Sequence, residues 1–327
     1  MYFEQYNLLE STPHIVVDGN ANAGTVLTLS HWPHSGTPKK LKDDLSAQIV
    51  FRYLDHLEFH VNVETVSNNH FDTDGLVSAF ALVNPAFAQA HRELLIDVAR
   101  ADDFSCYRDR TALRIALTIL AFANRKTSPL NASFFQGSFQ EQTAKMYKEM
   151  IIRLPEIVTA PDEYRQYWET EDKQITTTEE AIHNGVIRIE EIHDIDLAII
   201  TLPDVNHPPY VENPKDACHQ IGLYNALKSF CVVIIQRNYY ELQYRYETWV
   251  QYQSVRPRPR ADLTGLAGLL NSEEKNGVSW EFDGVDDIMP RLHLRDTIAS
   301  TIAPERFREM VINYLRTAPP AWQQYDE

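Results

Sequence analysis

The chain is poor in cysteine and short of basic residues, and it has no long apolar run. Its three cysteines (Cys106, Cys218 and Cys231) form no close CxxC pair, and their odd number argues against a disulfide framework. Lysine and arginine number 30 against 46 acidic residues, a formal net charge of −16. Such a field repels a long phosphate backbone, so broad binding to DNA or RNA is not expected. A small phosphorylated ligand held by a metal and a few local arginines stays open. Apolar runs such as Cys231 to Ile235 are far too short to span a bilayer. Met1 to Glu10 is acidic and polar, unlike a signal peptide, which sets a cytoplasmic expectation. There is no G-x-S-x-G elbow, P-loop or dinucleotide fingerprint, and Cys106 and His91 carry no partner pattern for nucleophilic catalysis.

What is present is ordinary for a soluble globular protein: 44% apolar and 23% charged residues over 327 positions. His14 to Asp18 and Thr25 to Leu29 read as short buried strands bounded by Gly19 and Gly24. Leu45 to Leu57 has helical spacing, Val61 to Val66 alternates like a strand, and Leu76 to Val83 begins a helix. Residues 86–101 and 111–123 read as two more helices. The pattern predicts an α/β fold whose mainly parallel sheet is covered by helices on both faces. Phe134 to about Glu180 reads as polar, aromatic-spotted helix broken at Pro155 and Pro161. In the second half, strands are expected at Val186 to Ile192, Leu197 to Leu202, Cys231 to Gln236 and Val278 to Phe282, with a long half-buried strand at Tyr240 to Gln253. Helices are expected at Ala217 to Leu227, Leu263 to Leu270 and Ala303 to Arg316, and a Pro-rich loop at Pro203 to Pro214. The expected organisation is a metal-binding domain at 1–133, a helical connector at 134–183 and a second, smaller α/β substrate domain at 184–327.

The most chemically loaded stretch is Asn69-His70-Phe71-Asp72-Thr73-Asp74-Gly75. If residues 61–66 are a strand, alternation sends His70, Asp72 and Asp74 toward one side of its carboxyl end. Hard oxygen ligands beside an imidazole suit Mn²⁺ or Mg²⁺ better than a thiol-seeking metal. The plainer alternative is that Asp72 only caps the following helix.

The segment from His70 to Ala79 resembles the first motif of the DHH phosphoesterase superfamily, which includes RecJ-type exonucleases, nano-RNA phosphatases, cyclic-dinucleotide phosphodiesterases and exopolyphosphatases. A second match lies in the other half. Ser254-Val255-Arg256, with Arg258 and then Ala261 to Ala267, looks like the family's Ser-x-Arg-Ser segment and the helix after it. The resemblance implies a two-manganese domain, a helical connector and a C-terminal substrate domain. It implies that His70, Asp72 and Asp74 are metal ligands and that Arg256 contacts substrate phosphate. The Asp-His-His signature is absent. Ile15 to Gly19 looks like the family's isolated-Asp strand, and Leu29-Ser30-His31-Trp32 sits where the signature would follow, with Ser30 and Trp32 replacing its Asp and second His. In that permuted order Asp44 to Ala47 resembles the helix start after the signature. A competing register makes Asp97 the isolated Asp. Asp102 and Asp103 are candidates for a more distant ligand, and Trp280 stands near the position of the family's Gly-Gly-Gly-His histidine.

Carried through, the resemblance implies a hydrolase with two Mn²⁺ or Mg²⁺ ions held among His70, Asp72, Asp74, Asp18, His31 and Asp102. His31, His34 and Asp74 would serve the chemistry, with His34 a fallback ligand or a donor to the leaving oxygen. Ser254, Arg256, Arg258 and Trp280 would meet a small phosphorylated ligand or short oligonucleotide in a cleft between domains. No membrane or long nucleic acid is expected, and a homodimer is allowed. The alternative is a catalytically inactive relative that binds a nucleotide or protein partner. Arg256, Arg258 and Arg260, alternating with Pro257 and Pro259, also read as a plain extended, solvated segment.

Overall fold

Short β-branched and apolar runs near the N-terminus form a four-stranded parallel sheet. The structure is a computed structural model and describes residues 1–204, 218–275, 277–295 and 299–325. The strands are β1 (Tyr2–Phe3), β2 (His14–Val17), β3 (Thr25–Leu29) and, after helix α1 (Ser46–Asp55), β4 (Thr65–Ser67). Their order is β1-β4-β2-β3 and every pairing is parallel. All four residues of β2 are buried, so both faces of this central strand are covered. The chain runs from β2 to β3 on one side and then crosses to β4 on the other. That reversal opens a crevice at the carboxyl ends of the strands, the usual ligand position in open α/β sheets.

The chain then turns helical: α2 (Thr73–Val83), α3 (Pro85–Ala90), α4 (Arg92–Asp103), α5 (Arg110–Ala123), α6 (Phe139–Thr159) and α7 (Arg165–His183), whose residues from 174 onward belong to the second unit. Helix α2 is buried along its length from Thr73 to Leu82 and packs on β1, β2 and β4 as well as on α1, α4 and α6. Three expectations need correction. The strand at 61–66 shrinks to Thr65–Ser67, because β1 and β2 offer partners only for those residues. The helix expected at 86–101 is two helices that meet at His91. Pro155 does not break α6 but sits inside it, where the helix continues with one amide fewer. Segment 134–183, expected as a connector, is helical, and α6 packs on α2 and α5.

The chain divides into two compact units. One takes residues 1–173 with 251–254, and the other takes 174–250 with 255–325. In the second unit the strands are β5 (Arg188–Ile192), β6 (Leu197–Thr201), β7 (Cys231–Gln236), after helix α8 (Gln220–Tyr224), and β8 (Tyr239–Tyr244). Next come β9 (Arg260–Ala261), α9 (Thr264–Glu273), β10 (Trp280–Phe282), β11 (Arg291–Leu294), α10 (Pro304–Thr317) and β12 (Pro320–Trp322). Six of the strands form a mixed sheet in the order β10-β11-β8-β7-β6-β5, with β6 and β7 parallel and the other pairs antiparallel. Strands β9 and β12 pair separately. The long strand expected at 240–253 ends at Tyr244 and gives way to a 3₁₀ turn at Tyr246–Thr248. Ser254 therefore does not stand at a strand end. Most of the Pro-rich loop expected at 203–214, and Ala217, lie outside the described residues. Among the described residues no helix is long and apolar enough to cross a membrane.

Glu274, at the end of α9, ties this unit together. It accepts from Trp280 Nε1 (2.9 Å), Thr301 N (2.9 Å), Thr301 Oγ1 (2.6 Å) and the Ser300 hydroxyl. Burial opposes its ionisation, but these donors outweigh burial and hold its carboxyl below the usual range. A carboxyl depressed on folding stabilises above its unfolded value and loses that stabilisation as pH falls through its folded value. Glu274→Gln is thus expected to cost about 1 kcal/mol at neutral pH. Its stability should also fall less steeply than wild type between about pH 5 and about pH 3. Denaturant midpoints measured across that range check this; parallel curves would contradict it.

Candidate metal centre

The residues that follow the three longer strands of the parallel sheet converge. Asp18 comes directly after β2 in a left-handed conformation (φ 45°), which Asp tolerates better than most residues, and it is 1% exposed. Gly19 completes that turn; a Cβ there would come within 2.6 Å of Asn69 Oδ1. His31 follows β3 and is equally buried. Its Nε2 lies 3.4 Å from Asp18 Oδ1, 3.9 Å from Asp74 Oδ2 and 3.6 Å from Asp103 Oδ2. His70, in the turn after β4, places Nε2 2.7 Å from Asp72 Oδ2 and 3.5 Å from Asp18 Oδ2. Two trios result, Asp18–His31–Asp74 and Asp18–His70–Asp72, each with its ligand atoms within 4.8 Å of one another.

The route to this convergence differs from the expected one. His70, Asp72 and Asp74 do not alternate along an extended strand. Asp72 is the N-cap of α2, its Oδ1 accepting from Gly75 N at 2.8 Å, while its Oδ2 faces His70. Capping and a place in the cluster are therefore compatible, since a carboxylate has two oxygens. Gly75 has no room for a side chain: a Cβ would meet Tyr147 Oη at 2.3 Å and Asn68 Nδ2 at 2.4 Å. Asp74, in the first turn of α2, accepts Ser46 N at 2.8 Å and Ala47 N at 2.7 Å from the start of α1. Two helix N-termini thus face the acidic cluster, where their partial positive charge favours anions.

Ser46 is the hub that sequence reasoning missed. Its hydroxyl donates to Asp18 Oδ1 (2.7 Å) and accepts from His31 N (3.1 Å), while its own amide holds Asp74. The only signal in the sequence was its place in the expected helix start. Asp102, at the end of α4, accepts Thr73 N at 3.1 Å and lies outside both trios. Asp97 accepts the amides of Arg108 and Asp109 and so belongs to the start of α5 instead of the cluster.

The remaining expected site residues fall elsewhere. His34 is exposed in the turn after Pro33, with φ 56°, and belongs to neither trio. The Ser254 hydroxyl donates to Asp44 Oδ2, so it is a structural donor and not an open substrate contact. In the second unit, Arg256 is exposed with its guanidinium 4.5 Å from the Tyr325 ring centroid. Arg258 donates to the carbonyls of Asp194 and Leu315. Trp280 is not a stacking platform: it is 2% exposed, stacked with Tyr240 and Phe307 in the core.

Electrostatics mark the cluster as a place that takes up positive charge. Burial works against ionisation of Asp18, but His31 and His70 outweigh it and hold its carboxyl down at about 2. Burial, with the Asp18 charge, pushes Asp72 up to about 6 and Asp74 up to about 8. Burial and the charge of Asp74 drive Asp103 well above the usual range, and burial raises Asp102. Burial opposes the His70 imidazolium, yet Asp72 outweighs it and lifts the ring to about 9; Asp18 lifts His31 likewise. Two buried carboxylate oxygens, Asp18 Oδ2 and Asp103 Oδ2, accept no hydrogen bond. A buried lone pair without a donor is costly unless a cation meets it. Carboxylates with neutral imidazole are the donor set of Mn²⁺ and Mg²⁺, so the residues fit such an ion.

The fold and this cluster define an α/β protein with an aspartate–histidine centre at the carboxyl edge of a parallel sheet. The chain belongs to a family of unknown function, DUF6687, whose model matches residues 1–326. A comparison with curated proteins gave no match.

Proposed function

We propose that this protein is a metal-dependent phosphoesterase that hydrolyses a small phosphorylated or nucleotide-type compound at two divalent cations, Mn²⁺ or Mg²⁺. The observation that carries this reading is Asp18. Its Oδ1 faces His31 and its Oδ2 faces His70, so one carboxylate is common to two carboxylate–imidazole trios. A shared carboxylate between two ion positions is what a two-metal centre needs. Bound cations would neutralise phosphate charge and supply an activated water. His31, Asp74 and Asp18 would hold one ion, and His70, Asp72 and Asp18 the other. The amides at the starts of α1 and α2 fix the carboxylates and add to the positive field. The resemblance to DHH phosphoesterases supports the same reading, and three free cysteines suit the proposed cytoplasmic setting.

One observation favours a second reading, a non-hydrolytic relative that binds a nucleotide or protein. Ser30 and Trp32 bring no ligand to the centre. The Ser30 hydroxyl accepts the Trp32 amide, and Trp32 lies against the His70 ring, 5.2 Å between centroids. A screen of phosphomonoesters, short oligonucleotides and cyclic dinucleotides with Mn²⁺ separates the two. The phosphoesterase reading expects release of phosphate or nucleotide that EDTA stops and added Mn²⁺ restores. Protein that binds no Mn²⁺ and turns over none of these substrates would leave the binding reading.

A further inference from the structure

We propose that Asp44 and Ser254 form a positioning pair for His31, holding its Nδ1–H toward a carbonyl so that Nε2 is the atom offered to a cation beside Asp18 and Asp74. The proposal rests on the metal reading above, but its geometry stands apart from it. His31 Nδ1 lies 2.7 Å from the main-chain oxygen of Asp44. A carbonyl oxygen only accepts, so Nδ1 carries the proton. Nε2 is then the nitrogen turned toward Asp18, Asp74 and Asp103. A carbonyl on the far nitrogen is a common way for a protein to aim a ligating imidazole.

What fixes that carbonyl is the Asp44 side chain, which is 1% exposed. Its Oδ1 accepts the amides of Gln253 (2.7 Å) and Ser254 (2.8 Å), and its Oδ2 accepts the Ser254 hydroxyl. Three donors on a buried carboxylate leave it little freedom to turn. The same tetrapeptide grips His31 at its other end, because Gln251 N donates to the His31 carbonyl at 2.7 Å. Tyr252, between them, sets its ring edge-on to Phe104 at 5.2 Å, and Phe104 lies 6.3 Å from the His31 ring. Residues 251–254 thus hold the histidine by its backbone, by its ring neighbour and by the carbonyl on Nδ1. Ser254 is itself exposed, so its hydroxyl can be removed without opening the core.

The test uses the full chain with Ser254→Ala, Ser254→Thr and Asp44→Asn. Mn²⁺ titration should show the ion at His31 bound about 10- to 100-fold more weakly in Ser254→Ala and Asp44→Asn. The ion at His70 should keep its affinity, and Ser254→Thr, which retains a hydroxyl, should restore the first. A second readout needs no metal: the His31 Nδ1–H proton, followed by NMR, should be protected from exchange in wild type and in Ser254→Thr and lose protection in the other two. Unchanged affinities with an equally protected proton would overturn the proposal. Equal weakening of both ions together with a lower melting temperature would also overturn it, because that marks a merely structural role. If wild type binds no Mn²⁺, the phosphoesterase reading falls, and the proton measurement alone decides the positioning.

Discussion

Asp18→Asn is expected to reduce Mn²⁺-dependent hydrolysis at least about a thousandfold, about 4 kcal/mol of transition-state stabilisation. The substitution keeps the shape of the side chain and an oxygen to accept the Ser46 hydroxyl, which now meets Asp18 Oδ1 at 2.7 Å. It removes the one charge that both trios share. Asp72→Asn, by contrast, touches only the trio with His70, and Asp74→Asn only the trio with His31. Metal content should follow the same logic: Asp18→Asn loses both ions, and each of the other two loses one. Because the two histidines hold Asp18 down at about 2, its replacement also removes the main support for a charged His31, while Asp72 still supports a charged His70. The check is steady-state turnover alongside bound Mn²⁺, with circular dichroism to show that the fold is kept. An Asp18→Asn protein with wild-type turnover would remove the two-metal account.

The second large effect lies in the other unit. Arg260→Ala is expected to destabilise the protein by about 3–5 kcal/mol. Arg260 is fully buried. Its Nε donates to Thr248 Oγ1 at 2.8 Å, and its two terminal nitrogens donate to the carbonyls of Val285 (3.0 Å), Asp287 (2.6 Å) and Ile288 (2.8 Å). The guanidinium lies 4.7 Å from the Trp322 ring centroid, so an aromatic face carries part of its charge. Burial lowers its pKa to about 10, which leaves it charged at neutral pH. Alanine strands three carbonyls and a hydroxyl without a donor and opens a cavity beneath Trp322. Lysine should rescue little, since one ammonium cannot reproduce a planar fork. Denaturant unfolding measures the loss; a change below about 1 kcal/mol would show that the network contributes little.

These two residues also mark what a sequence can and cannot disclose here. The spacing of Ile49, Val50 and Tyr53 announced α1 because an amphipathic helix writes its buried face every three to four residues. His70, Asp72 and Asp74 stood out because three potential ligands within five residues are uncommon, and the structure gathers them with Asp18 and His31. The geometry that gathers them was not legible. It depends on a helix cap and a first-turn carboxylate, where alternation had suggested a strand end. Val61 to Glu64 does alternate between half-buried and exposed positions, but strand pairing reaches only its last residue, whose carbonyl accepts the Tyr2 amide. Tyr240 to Gln253 failed for the opposite reason. Almost every residue from Tyr240 to Val250 is buried, including the ion-paired Arg245 and Glu247, so the aromatic alternation did not mark one buried face.

Ser46 and Arg260 were hidden because their partners are remote in sequence. A serine that serves Asp18, His31 and Asp74 looks like any helix-start serine. An arginine at the end of an Arg-Pro alternation looks solvated until the carbonyls of Val285, Asp287 and Ile288 are placed around it. Long-range hydrogen-bond acceptors leave no local pattern.

The most direct measurement is a crystal grown with Mn²⁺ and examined by anomalous scattering at the manganese edge. The account predicts two manganese peaks flanking the Asp18 carboxylate, one beside His31 and Asp74 and the other beside His70 and Asp72. Saturating Mn²⁺ with no peak within bonding distance of Asp18 would contradict it.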